Sequence, residues 1–142
     1  MYCIGIDPGK HTGLAVWDTD QRRFVSLSTV PIHAALRTVY QLAGESPGGV
    51  RVYFEDARQR NWLPPSRTES DYRGHLMGAG SVKRDSAIWE DALRDWGIPF
   101  EMVPPRGGMT KWTAASFARI TGWEGRTSNH ARDAALLVFG RT

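Results

Sequence analysis

The first thirty residues alternate between apolar and polar positions, which is the pattern of half-buried β-strands. Residues 1–7 and 14–18 form two such runs, and the turn-forming residues 7–13 between them predict a hairpin. A third run, residues 24–30, follows directly. The pattern therefore predicts a three-stranded antiparallel meander at the start of the chain.

Helical periodicity dominates the remainder, with two short β runs between the helices. Residues 50–55 are almost continuously apolar, as in strands buried in a parallel sheet, and residues 100–103 form the last β run before two prolines. Residues 56–80 lose periodicity and predict a long loop or a frayed helix, a kind of segment that is usually functional. Apolar residues recur at helical spacing in four segments: 32–43, 82–96, 110–121, and 128 or 129–139. This order predicts an α/β protein with a five-stranded mixed sheet and helices on both faces, in one domain over residues 1–142.

Composition and charge narrow the functional classes. The chain has 142 residues, 41% of them hydrophobic, and its single cysteine cannot form an internal disulfide. No apolar run approaches the roughly 18 residues of a membrane span, so we expect a soluble, cytoplasmic protein of a bacterium or a phage-infected host, with no membrane partner. The net charge is +3, and 15 arginines stand against 3 lysines. Basic residues concentrate in 51–84 and 103–142, which favours a nucleic-acid partner over an ordinary solvated surface.

Three acidic residues and one histidine are candidates for chemistry. Asp7 ends the first predicted strand, Glu55 ends the fourth, and His130 and Asp133 lie on one side of the last helix. Clustered carboxylates repel one another unless cations lie between them, and oxygen ligands favour Mg²⁺ or Mn²⁺. Each residue alone also has a structural interpretation: a turn for Asp7, solvation for Glu55, and helix capping for His130 and Asp133.

The same residues resemble the RuvC family of Holliday junction resolvases, in the short form found among phage and prophage proteins. The resemblance covers essentially the whole chain and rests on four motifs in the family's order: Ile4-Gly-Ile-Asp7-Pro-Gly9, Phe54-Glu55-Asp56, Val103-Pro-Pro105 followed by Lys111, and His130-Ala-Arg-Asp133. It implies an RNase H-like fold and a homodimer that makes paired, symmetric nicks in a four-way DNA junction during recombination and repair.

The resemblance also implies roles for individual residues. Asp7, Glu55 and Asp133 would be ligands of two Mg²⁺ or Mn²⁺ ions, and His130 would occupy the fourth position of the site, as a ligand or as a general base. Lys111 would lie near the scissile phosphate, because it follows the two prolines.

One departure from the family lies after Glu55. Bacterial relatives often carry an aromatic residue three positions later, where this chain has Arg58, and the nearest aromatic is Trp62. Either could stack on an exposed base, although Trp62 could instead cover the core. The remaining predicted DNA contacts are Arg60, Arg67, Arg106, Arg126 and Arg132.

Other interpretations stay open at this point. A related nuclease could act on flap or branched DNA or on structured RNA, and a non-catalytic nucleic-acid module could keep the fold. The residues from Asp7 to Gly13 also resemble the phosphate turn of actin-like ATPases, which need two such domains to enclose a nucleotide. Helix 82–96 carries Trp89 and Trp96 and is a candidate dimer interface, with core packing as the alternative.

Overall fold

Five strands form one mixed sheet. A computed structural model describes residues 1–59, 68–105 and 112–142. The sheet has the order β3-β2-β1-β4-β5, with the first three strands antiparallel and β4 and β5 parallel to β1. This arrangement confirms the predicted architecture. The strands are β1 (Tyr2–Asp7), β2 (His11–Asp18), β3 (Arg23–Pro31), β4 (Val50–Glu55) and β5 (Phe100–Val103).

The described ranges contain four α-helices: α1 (Ile32–Glu45), α2 (Glu69–Trp96), α3 (Ala114–Thr121) and α4 (Asn129–Leu136). Helix α3 begins four residues later and α4 ends three residues earlier than predicted. None of these helices is long and apolar enough to cross a membrane.

Helix α2 is longer than its apolar pattern indicates, because it begins at Glu69 and includes residues predicted as a loop or a frayed helix. The side chain of Thr68 accepts a hydrogen bond from the backbone N–H of Asp71 at 3.0 Å and caps the first turn. Two acidic residues in that turn, Glu69 and Asp71, interact favourably with the helix dipole. The first half of α2 is thus favoured by capping and charge, and its large apolar side chains Tyr72, Leu76 and Met77 are exposed.

Helices cover both faces of the sheet, as predicted. Alternate residues of each strand point to opposite faces, so Ile4 and Val52 pack with α1 and α2, whereas Cys3 and Tyr53 pack with α3 and α4. Trp89 of α2 is fully buried in the first of these cores, and Trp96 packs edge-on against Tyr40 of α1 with ring centroids 5.1 Å apart. Core packing therefore accounts for Trp89, and Trp96 is half-buried between α1 and α2.

Candidate active site

The carboxyl ends of β1 and β4 bring the first two acidic residues side by side. These strands are parallel neighbours, and their register pairs Ile6 with Phe54. Asp7 and Glu55 are the next residue on each strand, so they lie at adjacent positions on strands that run roughly 4.8 Å apart. Because Ile6 and Phe54 point into the α1–α2 core, the alternation directs Asp7 and Glu55 to the opposite face, which α4 covers.

Two glycines allow α4 to lie directly on that face. A Cβ atom on Gly13 would stand 2.0 Å from the carbonyl oxygen of His130, and one on Gly5 would stand 2.1 Å from that of Ala134. Side chains at these two positions would therefore push the helix away from the sheet. The sequence predicts Gly13 in a turn, but β2 begins at His11, and Gly13 is a strand residue that pairs with Asp7. A glycine inside a strand pattern is the signal that could have revealed this close approach.

The N-terminus of α4 is fixed in place as well. Ser128, one of the two residues at which the sequence predicts this helix to begin, is its N-cap, and the serine hydroxyl accepts a hydrogen bond from the N–H of Ala131 at 3.0 Å. The same hydroxyl is hydrogen-bonded to the side chain of Thr29 on β3. The start of α4 is thus tied to the sheet two residues before His130.

His130 and Asp7 are in direct contact. Nδ1 of His130 lies 3.0 Å from Oδ2 of Asp7, and the exposed fractions of the two side chains are 54% and 17%. In the neutral ring, Nδ1–H donates to the carboxylate, and Nε2 then carries the lone pair that can accept a proton or bind a metal. Asp133 lies one turn further along α4 and is half-buried.

The donor chemistry of this region suits a hard divalent cation. Asp7 and Glu55 supply carboxylate oxygens at neighbouring strand ends, which is the ligand type that Mg²⁺ prefers. Within residues 1–59, 68–105 and 112–142, however, no group of three or more His, Cys, Asp or Glu side chains is close enough together to hold a metal ion. The four-residue ligand set therefore stays a prediction.

Comparison with known proteins identifies the fold. The chain is similar to two structures of Thermus thermophilus RuvC. The first, in complex with a Holliday junction substrate, has a TM-score of 0.58 and 16% sequence identity, and the alignment covers 98% of this chain and 91% of that chain. The second has a TM-score of 0.61 and 17% sequence identity, and the alignment covers 98% of this chain and 92% of that chain. The fold is the RNase H-like fold of RuvC. No family model and no curated protein sequence matches the chain.

Arg58, at the position where the resemblance predicts an aromatic residue, is part of an ion-pair network. Its Nε donates to Oδ1 of Asp56 at 2.8 Å, and its Nη2 donates to Oε1 of Glu90 at 2.6 Å. Burial of Asp56 opposes its ionisation, but the hydrogen bonds and charge of Arg58 outweigh burial and lower the pKa of Asp56. Hydrogen bonds from Arg58 and Arg94 likewise lower the pKa of Glu90. Asp56 is thus a buried, paired carboxylate.

Arg132, a predicted phosphate contact, is buried and bonded to its own chain. Its Nε donates to the carbonyl of Trp112 at 3.0 Å, and its Nη1 donates to the carbonyl of Thr127 at 2.6 Å. Its Nη2 is hydrogen-bonded to the side-chain oxygen of Asn129. These contacts join the start of α4 to the segment before α3, which differs from the exposed DNA contact predicted for this residue.

The other predicted site residues divide into two groups. Arg126 is exposed, between α3 and α4, where a phosphate can reach it. The rest lie outside the described residues, and their roles stay predictions: Arg60, Trp62, Arg67, Arg106 and Lys111.

Proposed function

We propose that this protein is a divalent-metal-dependent endodeoxyribonuclease that resolves four-way DNA junctions. The observation that carries the proposal is the juxtaposition of Asp7 and Glu55 at adjacent strand ends, on the face covered by His130 and Asp133. The fold adds support, because a RuvC structure with this fold is in complex with a Holliday junction substrate. We also propose a single domain over residues 1–142 and a cytoplasmic location.

The chemistry proposed for the site is hydrolysis of a phosphodiester. Asp7, Glu55 and Asp133 would hold the divalent cation, which supplies positive charge to the phosphate and acidifies water. His130 is oriented through Nδ1 by Asp7, so its Nε2 is the atom that would accept a proton from the attacking water. Lys111 would contact the scissile phosphate, and Arg126 would bind a flanking phosphate without reading sequence.

A homodimer would supply two active sites for paired nicks, and the first half of α2 offers a surface for a second copy. Tyr72, Leu76 and Met77 are large apolar residues with exposed fractions of 50%, 44% and 75%. Two copies of α2 packed antiparallel would bury exposed apolar side chains of this half of the helix against each other, a self-complementary contact that suits a two-fold axis.

The dimer is tested with Met77→Glu, since Met77 is the most exposed of these three side chains. We expect the variant to keep its melting temperature and to lose the concentration-dependent increase in mass seen by light scattering for the wild type. A wild-type protein that stays monomeric at all concentrations would contradict the dimer.

The position of Gly13 argues against the nucleotide-binding alternative. A phosphate turn would need Gly13 to approach a ligand, whereas Gly13 lies in β2 against the backbone of His130. The open alternatives concern the substrate, and one experiment separates them: cleavage of a four-way junction, a flap, a plain duplex, an RNA/DNA hybrid and a structured RNA in Mg²⁺. We expect symmetric nicks in the junction and little cleavage of the others.

The site itself is tested by removing one carboxylate charge at a time. Asp7→Asn, Glu55→Gln and Asp133→Asn should each abolish cleavage while junction binding is unchanged or tighter, because less negative charge faces the phosphate. Asp91→Asn and Glu45→Gln are matched controls, since both side chains are exposed on helices that cover the opposite face of the sheet. Wild-type turnover in any of the three variants would remove that residue from the mechanism.

A further inference from the structure

A line of alternating charges runs from the end of β4 to the C-terminal part of α2. Asp56, directly after Glu55, is 4% exposed, and its carboxylate accepts hydrogen bonds from both the N–H and the Nε of Arg58. The guanidinium of Arg58 also donates to Glu90 at 2.6 Å. Glu90 in turn accepts two hydrogen bonds from Arg94, at 3.0 and 2.8 Å.

Further contacts hold the short 3-10 turn Ala57–Gln59, which carries Arg58. The N–H of Asp56 donates to the carbonyl of Val103 on β5 at 2.8 Å. The N–H of Ala57 lies 3.4 Å from the hydroxyl oxygen of Ser86 on α2, and Nη2 of Arg58 lies 3.2 Å from the sulfur of Met102 on β5. The turn that follows Glu55 is therefore anchored to both β5 and α2.

We propose that Arg58 is a positioning residue: by clamping the turn after β4 onto Glu90 of α2, it fixes the backbone of Glu55 and hence the spacing of the Asp7–Glu55 carboxylate pair. This inference deepens the proposed function and rests on it. It gives Arg58 a role different from base stacking or phosphate binding, because Nε and Nη2 already donate to carboxylates within the chain.

The planar guanidinium matters for this role. One arginine bonds Asp56 through Nε and Nη2 and Glu90 through Nη2, with geometry set by its rigid fork. A lysine has a single ammonium on a flexible stem and cannot reproduce the fork. Displacement of a catalytic group by about 1 Å can lower a rate about 100-fold, so loss of the clamp should appear in kcat.

The test compares Arg58→Ala, Arg58→Lys and Glu90→Gln in Mg²⁺-dependent junction cleavage. We expect Arg58→Ala and Glu90→Gln to lower kcat by about 10- to 100-fold with KM within about twofold of wild type, and Arg58→Lys to give an intermediate kcat. The double variant Arg58→Ala/Glu90→Gln should be no slower than Arg58→Ala alone, because both changes break the same contact. Arg37→Ala and Asp91→Asn, exposed residues on α1 and α2, are the controls.

A DNA contact would give a different result and would overturn the proposal. In that case Arg58→Ala would weaken junction binding and reduce its salt dependence by about one phosphate contact, whereas Glu90→Gln would leave kcat unchanged or bind DNA more tightly. The opposite effects expected of Glu90→Gln separate the two roles, since this variant removes negative charge and keeps Arg58.

Backbone hydrogen exchange tests the clamp without reference to cleavage. The N–H groups of Arg58 and Gln59 bond to Asp56 at 3.1 Å each, and Glu90→Gln should speed their exchange about tenfold or more while α4 amides are unaffected. Unchanged exchange in both Glu90→Gln and Arg58→Ala overturns the clamp even if the protein cleaves junctions. A wild type that cleaves none of the substrates refutes the proposed function, and the exchange rates still decide whether Arg58 holds the turn.

Discussion

The close approach of α4 to the sheet predicts that Gly13→Ala damages the site without changing any side chain in it. The added methyl carbon would lie 2.0 Å from the carbonyl oxygen of His130, 2.4 Å from its carbonyl carbon and 3.1 Å from the nitrogen of Ala131. All three are backbone atoms of α4, so no side-chain rotation can relieve the contact. The helix must move away from β2, and His130 moves with it.

The size of the effect follows from two opposing terms. Gly13 has no positive φ, so alanine fits its backbone conformation and would by itself stabilise the protein by about 0.4–1 kcal/mol through the unfolded state. Forcing a methyl group into a packed contact typically costs about 1–3 kcal/mol. The steric term dominates, and with an unfolding entropy of about 2.1 cal/mol/K per residue the net loss corresponds to a fall in melting temperature of roughly 2–8 °C.

The assay combines thermal denaturation with junction cleavage. We expect Gly13→Ala to melt below wild type and to cleave more slowly, because the 3.0 Å contact between His130 and Asp7 is lost. Gly44→Ala is the control, since nothing lies within 4 Å of its added Cβ, and it should melt at or slightly above the wild-type temperature. A Gly13→Ala protein with wild-type stability and activity would refute the close packing of α4 on β2.

Three further predictions concern the metal, the buried arginine and the stability of the folded protein at low pH. Mg²⁺ and Mn²⁺ should support cleavage and Ca²⁺ should permit binding with little turnover, because Ca²⁺ has a looser coordination geometry; cleavage in excess chelator would contradict metal dependence. Arg132→Ala should lower the free energy of unfolding by about 2–3 kcal/mol in urea titrations, since it leaves buried carbonyls without their donor, and Arg119→Ala, exposed on α3, should not. Hydrogen bonds from Arg58 and Arg94 lower the pKa of Glu90, so the ionised carboxylate stabilises the folded protein at pH values above the unfolded-state pKa of about 4.3. The stability difference between wild type and Glu90→Gln should therefore shrink as the pH falls from about 5 to 3. An equal difference at pH 7 and pH 3 would argue against this ion pair.

Local sequence signals predicted the sheet and the ends of several elements. The apolar runs predict the bounds of β4 and β5, and the sequence narrows the start of α4 to Ser128 or Asn129. Asp7 and Glu55 were placed at strand ends for the same reason, since alternation and turn residues act over a few positions. These features depend on neighbours in the chain, and the sequence contains those neighbours in order.

Such local signals do not predict contacts between distant segments of the chain. The sequence predicts Gly13 as a turn residue, whereas the structure has α4 packed against it. The sequence predicts Arg58 as a DNA contact, whereas in the structure it is bonded to Glu90, 32 residues later in the chain. Trp89 could equally have faced a partner or the core, and the sheet covers it. Sequence alone determined which residues carry carboxylates and where β4 and β5 begin and end. Tertiary structure decided which of them meet, because packing a helix on a sheet joins residues whose spacing along the chain carries no record of the contact.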